Sequence, residues 1–414
     1  MIPTFREVLG RVAGILNEHG ALGLILVDLS PLGRVERSFG VAAYQSLRAQ
    51  VDPVIEEVTE RLREDELLTR DEEQGDRFLL FVQPRRAAQD VFRAEDLRLL
   101  AERVEELATP RVARLTLPYL RGRTSLDVGY GVVLHSPLER PERQILRLIE
   151  DARGSAELRR RLRERQEREE VLEIVYNRRV WTAFQAIVDL ETRQVMGYEG
   201  LSRGPRGSDL ELPMTLFGQA GRYGLVEELE RACRKQAFLD WEHFGENVRL
   251  FINTVPGTVR DASFIGRGVF NYLGPNLSPR SVTLEITERE VIANLNLYRE
   301  AMQAFTEMGF TFAIDDVGSG YSGLETMLTL GASFFKIDMS LVRDVHEKRV
   351  AQQVVKAILD MGSGAGATVI AEGVQTREEA EALQGLGMRY AQGYYFARPV
   401  DPYARPAAPH SSRV

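Results

Sequence analysis

FTFAIDD (310–316) and SFFKID (333–338) are short apolar runs that carry acids, and in one case a lysine, at their C-terminal ends. Four more runs share the form: RLFIN (249–253), SVTLE (281–285), TVIAE (368–372) and RYAQG (389–393). The six recur at intervals of roughly 20 to 36 residues. A run of four to six apolar residues reads as a buried parallel strand, and the segments between read mostly as amphipathic helices. Strands alternating with helices, with chemistry at the strands' C-terminal ends, describe a β/α barrel. Burying Asn253, Glu285, Asp315, Asp316, Lys336, Asp338, Glu372 and Gln392 costs several kcal/mol each unless they are paired or bind metal. A metal-centred active site is the simplest reason to keep them.

The 414 residues suffice for two domains, because single cores stop growing below that size. Composition is globular, 44% apolar and 28% charged. A net charge of −8 argues against a nucleic-acid polymer as partner. A small anion is compatible if a metal or an Arg pocket supplies the positive charge. The lone cysteine, Cys233, excludes an intramolecular disulfide and fits a reducing compartment. It lies in the helical run VEELERACRKQAF and reads as a core thiol. No stretch approaches the roughly 18 apolar residues of a membrane span. The N-terminus, with Arg6, Glu7 and Arg11, lacks a signal-peptide core, so a cytoplasmic location is expected.

Nearly all basic residues are Arg; lysine occurs only at Lys235, Lys336, Lys348 and Lys356. Lys336 stands inside an apolar run, where a chain that habitually uses Arg has kept a compact point charge. That choice leans towards function, against a lysine that merely snorkels out of a strand end.

Adjacent carboxylates such as Asp315 and Asp316 repel unless cations sit beside them. Oxygens from different strands, with no His or Cys among them, suit a hard cation such as Mg²⁺ or Mn²⁺ rather than zinc. Two such ions would activate water and clamp a phosphodiester, with Glu372 as general base and Lys336 offsetting charge. Spacing alone leaves an enolase-like proton abstraction open as well.

The motifs go further. Residues 180–400 resemble the EAL domain, the phosphodiesterase of the bacterial second messenger cyclic di-GMP. The resemblance rests on FQAIVDLETRQVMGYEGLSR (184–203), LPMTLFGQAGRYGLVEELE (212–230), FINT (251–254), LEITE (284–288), IDDVGSGYSGL (314–324), FKID (335–338), AEGVQ (371–375) and QGYYFARP (392–399). It implies a (β/α)8 TIM-like barrel and hydrolysis of cyclic di-GMP to linear pGpG. It implies a two-metal Mg²⁺ or Mn²⁺ site held by Glu199, Asn253, Glu285, Asp315 and Asp316, and a homodimer. Glu372 would be the general base, Lys336 would lie near the attacking water, and Glu288 would hold the loop after Asp316. Gln185, Leu201 and Arg203 would contact the dinucleotide, with Arg203 on a phosphate. Gln392 would join the metal–water network. Departures are Ala186, Gly200 in the signature triplet, Val317, Gln375, which removes a charge near the site, and Arg389 with Ala391 ahead of Gln392. The alternative is a non-hydrolytic cyclic di-GMP receptor, whose usual mark, lost metal ligands, is missing here.

Ahead of the barrel, a βααββαβα-like order reads as an α/β domain at 20–154, after an N-terminal helix at 1–19. This segment resembles, more weakly, a GGDEF (diguanylate cyclase) domain, with Asp28 at its metal-binding position. Its signature reads Gln74-Gly75-Asp76-Arg77-Phe78, so Arg77 replaces the catalytic Glu. Reversing a charge at a metal site removes cyclase chemistry, which makes the domain a degenerate regulatory module. A charged connector helix at 155–178, the barrel domain at 179–402 and a disordered tail at 403–414 complete the expected order.

Overall fold

A computed structural model describes residues 2–61, 66–71, 75–84, 94–119, 126–255, 277–289, 295–318 and 331–404, with Thr258, Asp261, Phe264 and Leu273. The Gln74 of the signature, the glycine-rich residues 319–323 and the tail from 405 lie outside the described residues. The chain forms two compact units, Met1–Glu170 and Val171–Val414.

The first unit is an antiparallel sheet of β1 (Ala21–Asp28), β2 (Leu67–Arg70), β3 (Arg77–Val82) and β4 (Asp127–Leu134), in the order β2-β3-β1-β4. The run ALGLILV (21–27) is apolar throughout because both of its faces are covered. Ile25 and Val27 pack with Val51, Ile55, Val104 and Ala108 of helices Val41–Glu60 and Ala94–Thr116. Leu22, Leu24 and Leu26 pack on the opposite face with Val12 and Leu16 of Phe5–His19 and with Ile145, Leu148 and Ala152. Side chains alternate faces along a strand, so successive residues serve different cores. Gly129 on β4 has a packing reason: a Cβ there would stand 2.0 Å from the Ala152 carbonyl oxygen.

Helix Pro141–Tyr176 is continuous, so the end of the α/β domain expected at 20–154 and the connector expected at 155–178 share one element. Its last turns belong to the second unit, where Val171 and Ile174 pack with Val180, Leu210, Leu216 and Leu229.

The second unit is a closed eight-stranded barrel. Its strands are β5 (Trp181–Asp189), β6 (Val195–Arg203), β7 (Arg249–Asn253), β8 (Val282–Thr287), β9 (Thr311–Val317), β10 (Phe334–Ile337), β11 (Thr368–Ala371) and β12 (Tyr390–Gln392). The last six are the apolar runs read from the sequence. One strand departs from an all-parallel (β/α)8 barrel: β5 runs antiparallel to both β6 and β12. The reason is the short link at 190–194, since a parallel crossover needs a dozen residues or more. The Asp189 carboxylate accepts the Glu191 and Thr192 N–H groups and shapes that turn.

Barrel order does not stop at residue 402. Val400 and Phe184 exchange two backbone hydrogen bonds, and the Tyr403 hydroxyl donates to buried Asp240 over 2.7 Å. Among the described residues, no helix is long and apolar enough to cross a membrane.

Candidate active site

Two layers stack inside the barrel. The lower one is apolar: Ile187, Phe251, Ala313, Phe334 and Ile370 form one buried cluster, with Met196 and Tyr390 against it. Two residues further along their strands stand Asn253, Asp315, Lys336, Glu372 and Gln392. A strand returns to the same face every second residue, so the apolar floor positions the polar layer above it. On antiparallel β5 the direction reverses, and Gln185 precedes Ile187 by two. Glu199 joins the layer from β6 as the register partner of Gln185, and Glu285 joins from β8 as the partner of Asn253.

Lys336 is at the centre, fully buried. Its Nζ lies 2.6 Å from Glu372, 2.7 Å from Glu285, 3.4 Å from Glu199 and 3.6 Å from Asp315. Burial disfavours its charge, yet the four carboxylates outweigh burial and hold its pKa well above the usual lysine range. Burial pushes Glu285 and Glu372 far up, with Lys336 opposing only in part. Asp316 rises to about 6 through burial and the neighbouring Asp315 charge. For Glu199 burial also opposes charge, but Lys336 and hydrogen bonds from Gln392 and Asn253 keep its pKa below the ordinary value. Those bonds are 2.7 and 3.0 Å.

Gln392 also donates to Gln185 Oε1 over 3.0 Å, and Gln185 donates to the Ala397 carbonyl over 3.0 Å. Glu288 accepts the Gly318 N–H over 3.2 Å, two residues after Asp316, which has the left-handed φ of 57°. Half-buried Arg203 donates to the Ser202 and Leu201 carbonyls, and Leu201 is half-buried on the same strand. Asp338 caps helix Met339–Val342 by accepting the Ser340 N–H.

The donor set fits a hard cation. Asp315, Asp316 and Glu372 each offer an oxygen within 4.8 Å of the others. Glu285 Oε2 is buried and accepts no hydrogen bond among the described residues. Carboxylate and amide oxygens in such a cluster suit Mg²⁺ or Mn²⁺. Glu372, read from the sequence as a base, thus stands with the aspartates as well as with Lys336.

Of the departures, Gln375 is exposed, and its N–H bonds the Glu379 carboxylate in the capping box of helix Arg377–Gly385. A Cβ at Gly200 would meet Thr182 Cγ2 at 3.3 Å, so the missing methyl has almost enough room. Sequence patterning does not single out a further buried set, Glu230, Arg234 and Asp261. The four-residue spacing of Glu230 and Arg234 on one helix is the only hint.

In the first unit, Arg77 Nε lies 2.9 Å from Asp28 Oδ2, its register partner across the sheet. Arg77 also lies 3.6 Å from Asp71.

Several known proteins are similar to this chain. An uncharacterised Synechocystis protein is 26% identical over 96% of the chain and 58% of its own length. The probable cyclic di-GMP phosphodiesterase PdeA of Escherichia coli is 32% identical over 36% of the chain and 21% of its own. The chain therefore spans less than two thirds of these curated relatives. Among solved structures, the PaMucR phosphodiesterase in complex with c-di-GMP is 26% identical with a TM-score of 0.50, covering 57% of this chain and 98% of that one. An EAL domain protein from Listeria monocytogenes is also 26% identical, with a TM-score of 0.50 over 56% and 93%. The EAL domain pattern itself matches residues 168–399, more than half of the chain, and the chain belongs to the EAL domain family.

Proposed function

We propose that the barrel hydrolyses cyclic di-GMP to linear pGpG, and that the first unit is a catalytically dead, GGDEF-like regulatory module. The observation that carries the reading is the polar layer: Glu199, Glu285, Asp315 and Glu372 gathered around one buried lysine, with Asn253 bonded to Glu199 and Asp316 next to Asp315. The named functions of PdeA and PaMucR support it.

In this reading those five residues hold two divalent ions, Mg²⁺ or Mn²⁺. The ions, when bound, lower the pKa of a water and offset phosphate charge. The chain's own residues do the rest. Glu372 takes a proton from the attacking water. Lys336 keeps its charge and steadies the developing negative charge on the phosphoryl oxygens. Water adds at phosphorus, one P–O3′ bond breaks, the leaving O3′ takes up a proton equivalent to the one Glu372 received, and the ring opens to a 5′-phosphate and a 3′-hydroxyl. Arg203 meets a phosphate from the rim, and Gln185 and Leu201 meet the rest of the dinucleotide. Gln392 orients Glu199, and Glu288 holds the Gly318 backbone and with it the turn that carries Asp316.

Regulation without cyclase chemistry is supported by the Arg77–Asp28 pair, because a guanidinium stands where a cation would be needed. Incubation of the chain with cyclic di-GMP and Mn²⁺, followed by chromatography, tests the activity. A pGpG peak that disappears with EDTA and in Lys336→Ala is expected. Bound but uncleaved nucleotide would make the barrel a receptor.

A further inference from the structure

We propose that Arg234 is a positioning residue for Asn253 and Glu285, an inference that rests on the ligand set proposed above. Arg234 sits on helix Val226–Phe244 and is 3% exposed. Its Nη1 lies 2.6 Å from both Glu230 carboxylate oxygens and 3.1 Å from Thr258 Oγ1. Its Nη2 lies 2.8 Å from Asp261 Oδ2, and its guanidinium carbon lies 4.1 Å from the Phe264 ring centroid.

Among the described residues outside its own helix it grips Thr258, Asp261 and Phe264, spaced by three. The backbone explains the spacing. The Thr258 N–H bonds the Val255 carbonyl, Asp261 bonds Thr258, and Phe264 bonds Asp261, at 2.9, 3.1 and 2.8 Å. Such i→i+3 turns stack every third side chain on one face. One planar fork therefore holds all three of these residues after β7.

That segment is tied directly to the ligands. Thr258 Oγ1 accepts the Val255 N–H over 3.3 Å. Thr254 donates its N–H and its hydroxyl to the Glu285 carbonyl, at 2.9 and 2.8 Å. Asn253 precedes Thr254 and is the register partner of Glu285. Arg234 thus acts on the tips of β7 and β8 through Thr258 and Thr254.

A buried ion cluster is a poor way to gain stability, since apolar residues of similar volume serve as well or better. It does specify geometry, and partners behind metal ligands typically set 10–100-fold in metal affinity. Arg231 also reaches Asp261 at 3.0 Å, so Asp261 keeps a partner when Arg234 is replaced.

The test is direct Mn²⁺ titration of the full chain without nucleotide, comparing wild type with Arg234→Lys and Thr258→Val. Thr258→Val removes only the hydroxyl link and also serves where Arg234→Lys does not fold. Roughly tenfold weaker Mn²⁺ binding in folded variants is expected. Unchanged affinity in a folded variant overturns the positioning role, because mere destabilisation lowers the melting temperature without changing the affinity of the folded chain. Failure of the wild type itself to take Mn²⁺ overturns the ligand set, and the positioning role with it.

Discussion

Lys336 Nζ lies 2.7 Å from Glu285 Oε1, and neither side chain has any exposed surface. With Glu372, Glu199 and Asp315 also within 4.0 Å, one ammonium faces four carboxyl groups. Removing one partner of a buried ion pair costs about 3–5 kcal/mol, because it leaves uncompensated charge.

Lys336→Met is therefore expected to lose about 3 kcal/mol of stability in EDTA and to recover part of it with Mn²⁺, which restores positive charge. Chemical denaturation with and without Mn²⁺ reads this. Wild-type stability in EDTA would mean that the lysine is not the counterion.

Asp127 gives a pH dependence in the first unit. Burial raises its carboxyl to about 6, against the opposing charges of Arg163 and Arg160. The folded pKa lies above the unfolded value of about 3.9. Its stabilising contribution is therefore fully present below about pH 4 and is lost as pH rises through about 6. Asp127→Asn is expected to gain on wild type over that window, by about 2 kcal/mol, and to hold a constant margin above it. Urea unfolding followed by circular dichroism at several pH values checks the sign.

Burial pushes the Cys233 thiol up to about 12. Too little thiolate exists near neutral pH for reaction in the folded chain. A thiol reagent is expected to label the single cysteine only after denaturant is added; rapid labelling of native protein would contradict its burial.

Gly200→Ala restores the family residue. Alanine lowers unfolded-chain entropy by about 0.4–1 kcal/mol, and the 3.3 Å approach to Thr182 Cγ2 opposes that gain. A net change within about 1 kcal/mol is expected, becoming more favourable in combination with Thr182→Ser, which removes the opposing methyl. Melting temperatures of the two single variants and the double variant form the cycle that checks it.

Much of the barrel was legible because its strands are buried on both faces and end in polar residues. RLFIN, SVTLE and TVIAE each announce a strand and the residue that its tip delivers. The direction of β5 was less visible, because FQAIVD is equally apolar whichever way it runs. The deciding signal was the length of the link at 190–194, too short for a crossover. The continuous helix Pro141–Tyr176 hid the division of the chain, since its charged middle reads as a connector while Val171 and Ile174 are core. The hold of Arg234 on Thr258, Asp261 and Phe264 joins two segments, and no spacing rule within either one reveals it.

In the proposed function the polar layer around Lys336 is a hydrolytic metal site. The most direct test compares pGpG formation from cyclic di-GMP by wild type and Glu199→Ala, at saturating Mn²⁺. Steady product from wild type, with a loss of about a thousandfold or more in the variant, is the expected result. Equal rates in the two proteins, or bound nucleotide that wild type never cleaves, would contradict the account.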